Sequence, residues 1–264
     1  MDNRINPDMQ TVYDEAQIFY EKGEFQKALN LFHEISDAWP DFSVLNYIGC
    51  CYIGMEDYKT AEKVFKMLIS KAPDWERPYF NLARVYIVNG QDGKAYELLK
   101  KAIEINPSSE DSYFYMGVYY RIKGQWDNAI EQFLKSEDLD DGAIEVHINL
   151  SVCYAEIGDY EKSLSEALKA LEINSSDLDS LFNATRVYII LKEYEKAFEL
   201  LYNQRMSFCD DIGLMKNLFI SAQKTGHYDI CVETAKKILA IDKTDSMSKR
   251  FLSDFGNDAD CFSC

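Results

Sequence analysis

The chain has 264 residues, 47% of them hydrophobic, with 28 basic residues against 45 acidic ones and a formal net charge of −17. So acidic a chain excludes nucleic acid and anionic membrane as expected partners and favours basic ones outside any special groove. The hydrophobic content is ample for a buried core, and 5 prolines in the whole chain suit helices.

The N-terminal stretch MDNRINPDMQ has no apolar run, so no signal peptide or membrane span is expected there. No later stretch approaches the roughly eighteen apolar residues of a transmembrane helix. Residues 1–8 read as an arm. From residue 9 the sequence falls into a repeating figure, clearest over 110–143. There Gly117 and Ala129 are small residues set among apolar and aromatic neighbours at helical spacing, and Gly124 breaks the middle. That is a hairpin of two helices whose backbones approach closely at the small residues. Anchors equivalent to Ala129 recur at Ala28, Ala61, Ala95, Ser163, Ala197 and Cys231, once 33 residues apart and thereafter 34. Nine residues before each anchor stand Phe19, Tyr52, Tyr86, Tyr120, Tyr154, Tyr188 and Ala222. Five before stand Gly23, Glu56, Gly90, Gly124, Gly158, Lys192 and Gly226. Three series in phase define seven repeats, 9–41, 42–75, 76–109, 110–143, 144–177, 178–211 and 212–245. The seventh departs most, with Phe219 where a small residue is expected and Ala222 where the aromatic belongs. Asp245 or Ser246 then caps one more helix, 246–255, whose Met247, Phe251, Leu252 and Phe255 form a stripe to cover the last repeat. The tail 256–264 is acidic and expected to be mobile.

This period and these residues resemble the tetratricopeptide repeat family, whose unit is a 34-residue helix pair with fixed small and aromatic positions and a closing proline. Pro40, Pro73 and Pro107 match that proline, while Asp141, Ser175 and Cys209 stand in its place later. The resemblance spans about residues 9–245. It implies an all-α, right-handed superhelical solenoid of seven hairpins plus the capping helix, because one hairpin cannot bury its apolar face alone.

No catalytic signature is present: there is no P-loop, Rossmann glycine pattern, H-E-x-x-H or G-x-S-x-G. The expectation is therefore no enzyme activity, no cofactor and no metal. His33, His147 and His227 lie in different repeats and read as packing or surface residues. The 7 cysteines form no disulfide framework. Cys51 and Cys153 fall on core faces and Cys231 replaces an anchor, which points to a reducing, cytoplasmic setting. Cys261 and Cys264 make a C-x-x-C in the tail with no further ligand in sight. Most of the 18 tyrosines are repeat-core positions, whereas Tyr13, Tyr20, Tyr47 and Tyr115 are less committed and suit a ligand face.

The resemblance also implies a ligand face, the inner surface lined by the first helix of each repeat at positions 2, 5, 6, 9, 12 and 13. Position 6 reads Asp14, Tyr47, Asn81, Tyr115, Asn149, Asn183 and Asn217. An Asn there can pair with both the N–H and the C=O of an extended peptide. The other positions carry Arg77, Arg84, Arg121, Arg186, Lys216 and Lys224 against Glu21, Asp111, Glu145, Glu156 and Asp179, close to neutral in a protein of −17. Four of the chain's seven arginines fall in this set, and arginine recognises carboxylate and phosphate through a planar fork. The two-carboxylate clamp by which some family members hold a chaperone C-terminus is not matched in any three consecutive repeats: around Asn183, Ile148 and Val152 replace its Lys and Asn. The expected function is a non-catalytic module that binds a peptide or partner protein, with an acidic or C-terminal segment, in the groove of repeats three to six. Arg77, Asn81, Arg84, Tyr115, Arg121, Asn149, Asn183, Arg186 and Asn217 are the candidate contacts. The alternative is a scaffold that works by self-association.

Overall fold

The computed structural model describes residues 7–39 and 42–255, and throughout them the chain is α-helix joined by short turns. Residues 1–6 of the expected arm 1–8, the closing Pro40, the side chain of Phe255, and the tail 256–264 with Cys261 and Cys264 lie outside the described residues, and the last two residues of that arm, from Pro7, open the first helix. The contacts fall into two compact units, residues 1–140 and 141–264. The first contains α1 (Pro7–Glu21), α2 (Phe25–Ile35), α3 (Ser43–Gly54), α4 (Tyr58–Lys71), α5 (Arg77–Val88), α6 (Asp92–Ile105), α7 (Glu110–Ile122) and α8 (Trp126–Glu137). The second contains α9 (Ile144–Glu156), α10 (Tyr160–Ile173), α11 (Leu178–Ile190), α12 (Tyr194–Gln204), α13 (Ile212–Thr225), α14 (Tyr228–Ile241) and α15 (Ser246–Phe255). Each odd-numbered helix up to α13 packs against the even-numbered helix that follows it. The odd-numbered helices also touch one another in succession, α3 with α5 and α5 with α7, then α9 with α11 and α11 with α13. Each unit is thus a stack of paired helices, an α-solenoid whose first helices share one face.

The seven anchors are all fully buried, from Ala28 to Cys231. The closest approach within a hairpin is made by a different pair. A Cβ placed on Gly117 would lie 2.6 Å from the ring of Phe133, four residues beyond Ala129, and one on Gly49 would lie 2.6 Å from Phe65. The tight crossing expected between Gly117 and Ala129 is therefore filled by an aromatic ring laid on a glycine. The same two positions hold Ala16 and Phe32, Ala83 and Leu99, Ser151 and Ala167, Thr185 and Leu201, and Phe219 and Ala235, every one of them buried. Phe219, anomalous in the sequence, is the same exchange reversed: the ring sits on the first helix and the small residue on the second.

The turn between the helices of a pair needs a left-handed residue. Gly23, Gly90, Gly124, Gly158 and Gly226 supply it with φ of 67° to 82°, but Glu56 and Lys192 adopt φ of 61° and 62° in the same place. Part of the acidic excess works at the starts of helices. Asp57, Asp159, Asp177, Asp211 and Asp245 each accept a backbone N–H from the first turn, at 2.7–3.2 Å, caps worth about 1 kcal/mol each.

Two outcomes follow for denaturation measurements. Gly117→Ala forces its new methyl into Phe133 and should cost about 1–3 kcal/mol. Combining it with Phe133→Leu should cost less than the two single changes added together. Lys192→Gly should raise stability by about 1 kcal/mol by removing the left-handed strain of a side-chain-bearing residue. An unchanged melting temperature in either variant would contradict the assignment of these positions.

Candidate functional site

In the first unit the candidate side chains converge on α5. Arg77 stands at its exposed start, followed by Pro78, which is tolerated in a first turn because its missing N–H has no helical partner there. Asn81 is only 2% exposed. Its Nδ2 donates to Asn46 Oδ1 on α3 at 3.1 Å, and its Oδ1 accepts from Arg84 Nη1 at 2.9 Å. The amide expected to hold a peptide backbone is thus committed to the fold, where it ties two first helices together and orients an arginine. The Arg84 guanidinium carbon lies 4.8 Å from the centre of the Tyr115 ring on α7, and that ring stacks on Phe80 at 5.3 Å. Tyr20 of α1 packs against the same cluster as the buried Cys50 of α3. Burial pushes both the Tyr20 phenol and the Cys50 thiol up, so both stay neutral. Asp111, in the first turn of α7, is pushed above the usual carboxylate range by burial and by Glu110, while Arg77 and Arg84 pull it down. Arg121, in the last turn of α7, has its Nε buried with no hydrogen-bond partner.

The second unit repeats the theme with different wiring. Asn149 Nδ2 donates to the Glu145 carbonyl of its own helix at 2.8 Å. Asn183 and Asn217 are 7% and 8% exposed, and Asn217 Nδ2 donates across to Thr185 Oγ1 on α11 at 3.0 Å. The Arg186 Nε is buried with no hydrogen-bond partner. Lys216 is taken up by Asp245, at 2.8 Å. His147, expected to be a packing residue, is buried with Nδ1 2.8 Å from Glu166 Oε2, and Lys169 meets the other oxygen of that carboxylate at 3.0 Å.

Charge is sorted between the two kinds of helix. On the second helices Lys27, Lys66, Lys100, Lys135, Lys162, Lys196 and Lys237 each meet a carboxylate three or four residues away. Among the described residues no carboxylate comes within ion-pair distance of Arg77, Arg84, Arg121 or Arg186 on the first helices. Sequence reasoning picked out these arginines but missed Asn46, which holds the Asn81 amide that meets Arg84, and the buried Cys50 near Tyr20. Position 5 of the second repeat is the signal for Asn46. Nothing in the pattern marks Cys50.

Stacked helical hairpins with a shared first-helix face define an α-solenoid of short repeats. The chain belongs to the tetratricopeptide repeat family: three tetratricopeptide repeat profiles match it, over residues 98–131, over 76–109 and 144–177, and over 45–74. No curated protein matches it. Among solved structures it resembles a thermophilic TPR protein of Thermus thermophilus, at 22% identity and a TM-score of 0.62 over 69% of this chain and 99% of that one. PilF of Pseudomonas aeruginosa is similar at 14% identity and a TM-score of 0.71, over 84% of this chain and 99% of that one. YrrB, described as a TPR protein with an unusual peptide-binding site, is similar at 18% identity and a TM-score of 0.52, over 70% and 96%. At these identities the likeness is one of fold.

The Lys216–Asp245 pair sets a pH dependence. Asp245 is 8% exposed, and its carboxyl is held below the usual range first by the hydrogen bond from Lys216, with burial opposing and Ser248 adding to it. Its folded value lies below the unfolded value of about 3.9. The stability it contributes is therefore present above that value and lost as pH falls through the folded one. Asp245→Asn should lower the melting temperature at neutral pH and flatten its fall below about pH 4. A fall as steep as the parent's would assign the acid lability to other carboxylates.

Proposed function

We propose that the protein is a non-catalytic interaction module that takes a peptide segment of a partner protein on the face of its first helices. The observation that carries this reading is the set of arginines without ion pairs. In a chain with 45 acidic residues, Arg77, Arg84, Arg121 and Arg186 of the first helices have no ion pair among the described residues, while Lys27, Lys66, Lys100, Lys135, Lys162, Lys196 and Lys237 of the second helices each have one. Arg77, Arg84 and Arg121 with Tyr115 form this face in the first unit, and Arg186 with Asn149, Asn183 and Asn217 in the second. Asn81 and Asn217 tie neighbouring first helices together, Asn81 also orients Arg84, and the arginines meet the ligand. The peptide-binding site named for YrrB is in keeping with this use of the fold. We read the whole as seven hairpins with α15 as the cap. In support, α15 packs on α14, and Phe251, 4% exposed, meets Phe219 edge-on at 5.0 Å. A reducing, cytoplasmic setting fits Cys50, Cys51 and Cys231, which are buried thiols with no disulfide.

The test uses a partner recovered from native cells by affinity capture and identified by mass spectrometry. Replacing Arg84, Arg121 and Arg186 together by Gln should leave helicity unchanged and weaken the partner about tenfold or more in calorimetry. The loss should shrink at high salt, because these charges act over a screening length of about 8 Å at physiological ionic strength. Equal affinity for parent and triple variant would move the binding surface off this face.

A further inference from the structure

The second helices of the first unit carry charge that their own chain does not use. α4 packs on α3 and α5, α6 on α5 and α7, and α8 on α7, so α6 lies between α4 and α8 and the three run in one direction. α4 is the one second helix with a net positive charge, with Lys59, Lys63, Lys66 and Lys71 against Glu62. α8 is negative, with Asp127, Glu131 and Glu137 against Lys135. Lys59 and Lys63 hold the places in the second repeat that Asp127 and Glu131 hold in the fourth, and all four are exposed. Lys66 and Glu131 have ion-pair partners on their own helices. Among the described residues Lys59, Lys63 and Asp127 have none.

Between these helices α6 is balanced, with Glu97 and Glu104 flanking Lys100 and Lys101 on its exposed side. Its first turn holds Gly93, which is exposed, has no positive φ, and has nothing within 4 Å of an added Cβ. A glycine weakens a helix relative to alanine, and nothing in this chain calls for one there. It suits a place where a second backbone comes close.

We propose that this face pairs with the same face of a second copy of the chain, about a two-fold axis along α6 that sets each α4 on the other copy's α8. Such an axis reverses the order of the three helices and keeps their direction. Lys59 then meets the second copy's Asp127 and Lys63 its Glu131, with Met67 and Leu134, 36% and 37% exposed, coming together beside them. On the axis α6 meets itself at Gly93, and Glu97 of each copy lies beside Lys100 and Lys101 of the other. An axis across the helices would set α4 on α4 and α8 on α8, like charge on like, so the pattern selects the axis along α6. With helices about 21 Å long and about 10 Å wide, the face covers roughly 600 Å². The pair then buries about 1,200 Å², the lower end of specific interfaces, which makes the dimer reversible. It leaves the first-helix face of each copy open.

Sedimentation of the full chain tests the pairing. At about 100 μM in physiological salt the parent should run as a mixture of one and two copies. Lys59→Glu with Lys63→Glu makes α4 acidic like α8, and Asp127→Lys with Glu131→Lys makes α8 basic like α4. Each double variant should be a monomer of unchanged helicity, because all four side chains are exposed. Mixed in equal amounts, the two variants should restore the two-copy species, since each offers the charge the other lacks. Gly93→Gln should weaken the parent dimer about tenfold or more without lowering the melting temperature. The proposal is overturned if the parent is a monomer at about 1 mM, if assembly runs past two copies, or if either double variant associates like the parent. Double variants that stay monomers together as well as alone would equally sink it. Peptide binding on the first-helix face is read separately, from the triple arginine variant, and neither result decides the other.

Discussion

Every hairpin depends on how close its two helices can come, and that distance is set by one exchange of size. Where the first helix offers Gly49 or Gly117, the second lays a phenyl ring on it. Where the second helix offers Ala235, the first supplies Phe219. Interiors packed like organic crystals leave no slack at such a contact. The remaining geometry follows: the position of the second helix fixes where the next first helix must lie, and so fixes the face those first helices share.

The second helices neutralise part of their own charge. Lysines on the second helices meet acids one turn away, pairs worth a few tenths of a kcal/mol that mainly neutralise the local field. Aspartates at the helix starts are held by backbone N–H groups. The charges these devices do not reach on the first helices include Arg77, Arg84, Arg121 and Arg186, together with exposed acids such as Glu21 and Glu156.

The fold was legible because its signals are periodic. Ala28 through Cys231 mark buried crossings, and Gly23 through Gly226 mark left-handed turns; Glu56 and Lys192 were read into that series by phase alone and adopt the glycine conformation. Less legible was the division of labour inside each position. Asn81 has the residue type that holds a peptide backbone, yet its partners, Asn46 and Arg84, come from 35 residues back and 3 ahead. Neither distance is the 34-residue repeat length, and spacing alone cannot say whether an amide faces outward or sideways. Phe219 was misleading when read alone and became regular beside Ala235. Pattern finds positions one at a time, whereas the constraint acts on pairs.

The link from Asn46 to Asn81 has a consequence for how such an array can change its length. Most contacts between successive hairpins are apolar, and one apolar surface can be traded for another of similar shape. A buried amide cannot be traded in this way. Excising or duplicating the hairpin of α5 and α6 by itself would leave Asn46 facing a residue not chosen for it, with a donor or acceptor stranded out of reach of water. The hairpins of α3 and α5 are therefore inherited as a couple. Recombination that adds or removes repeats would be accommodated more readily at junctions where no side chain reaches across.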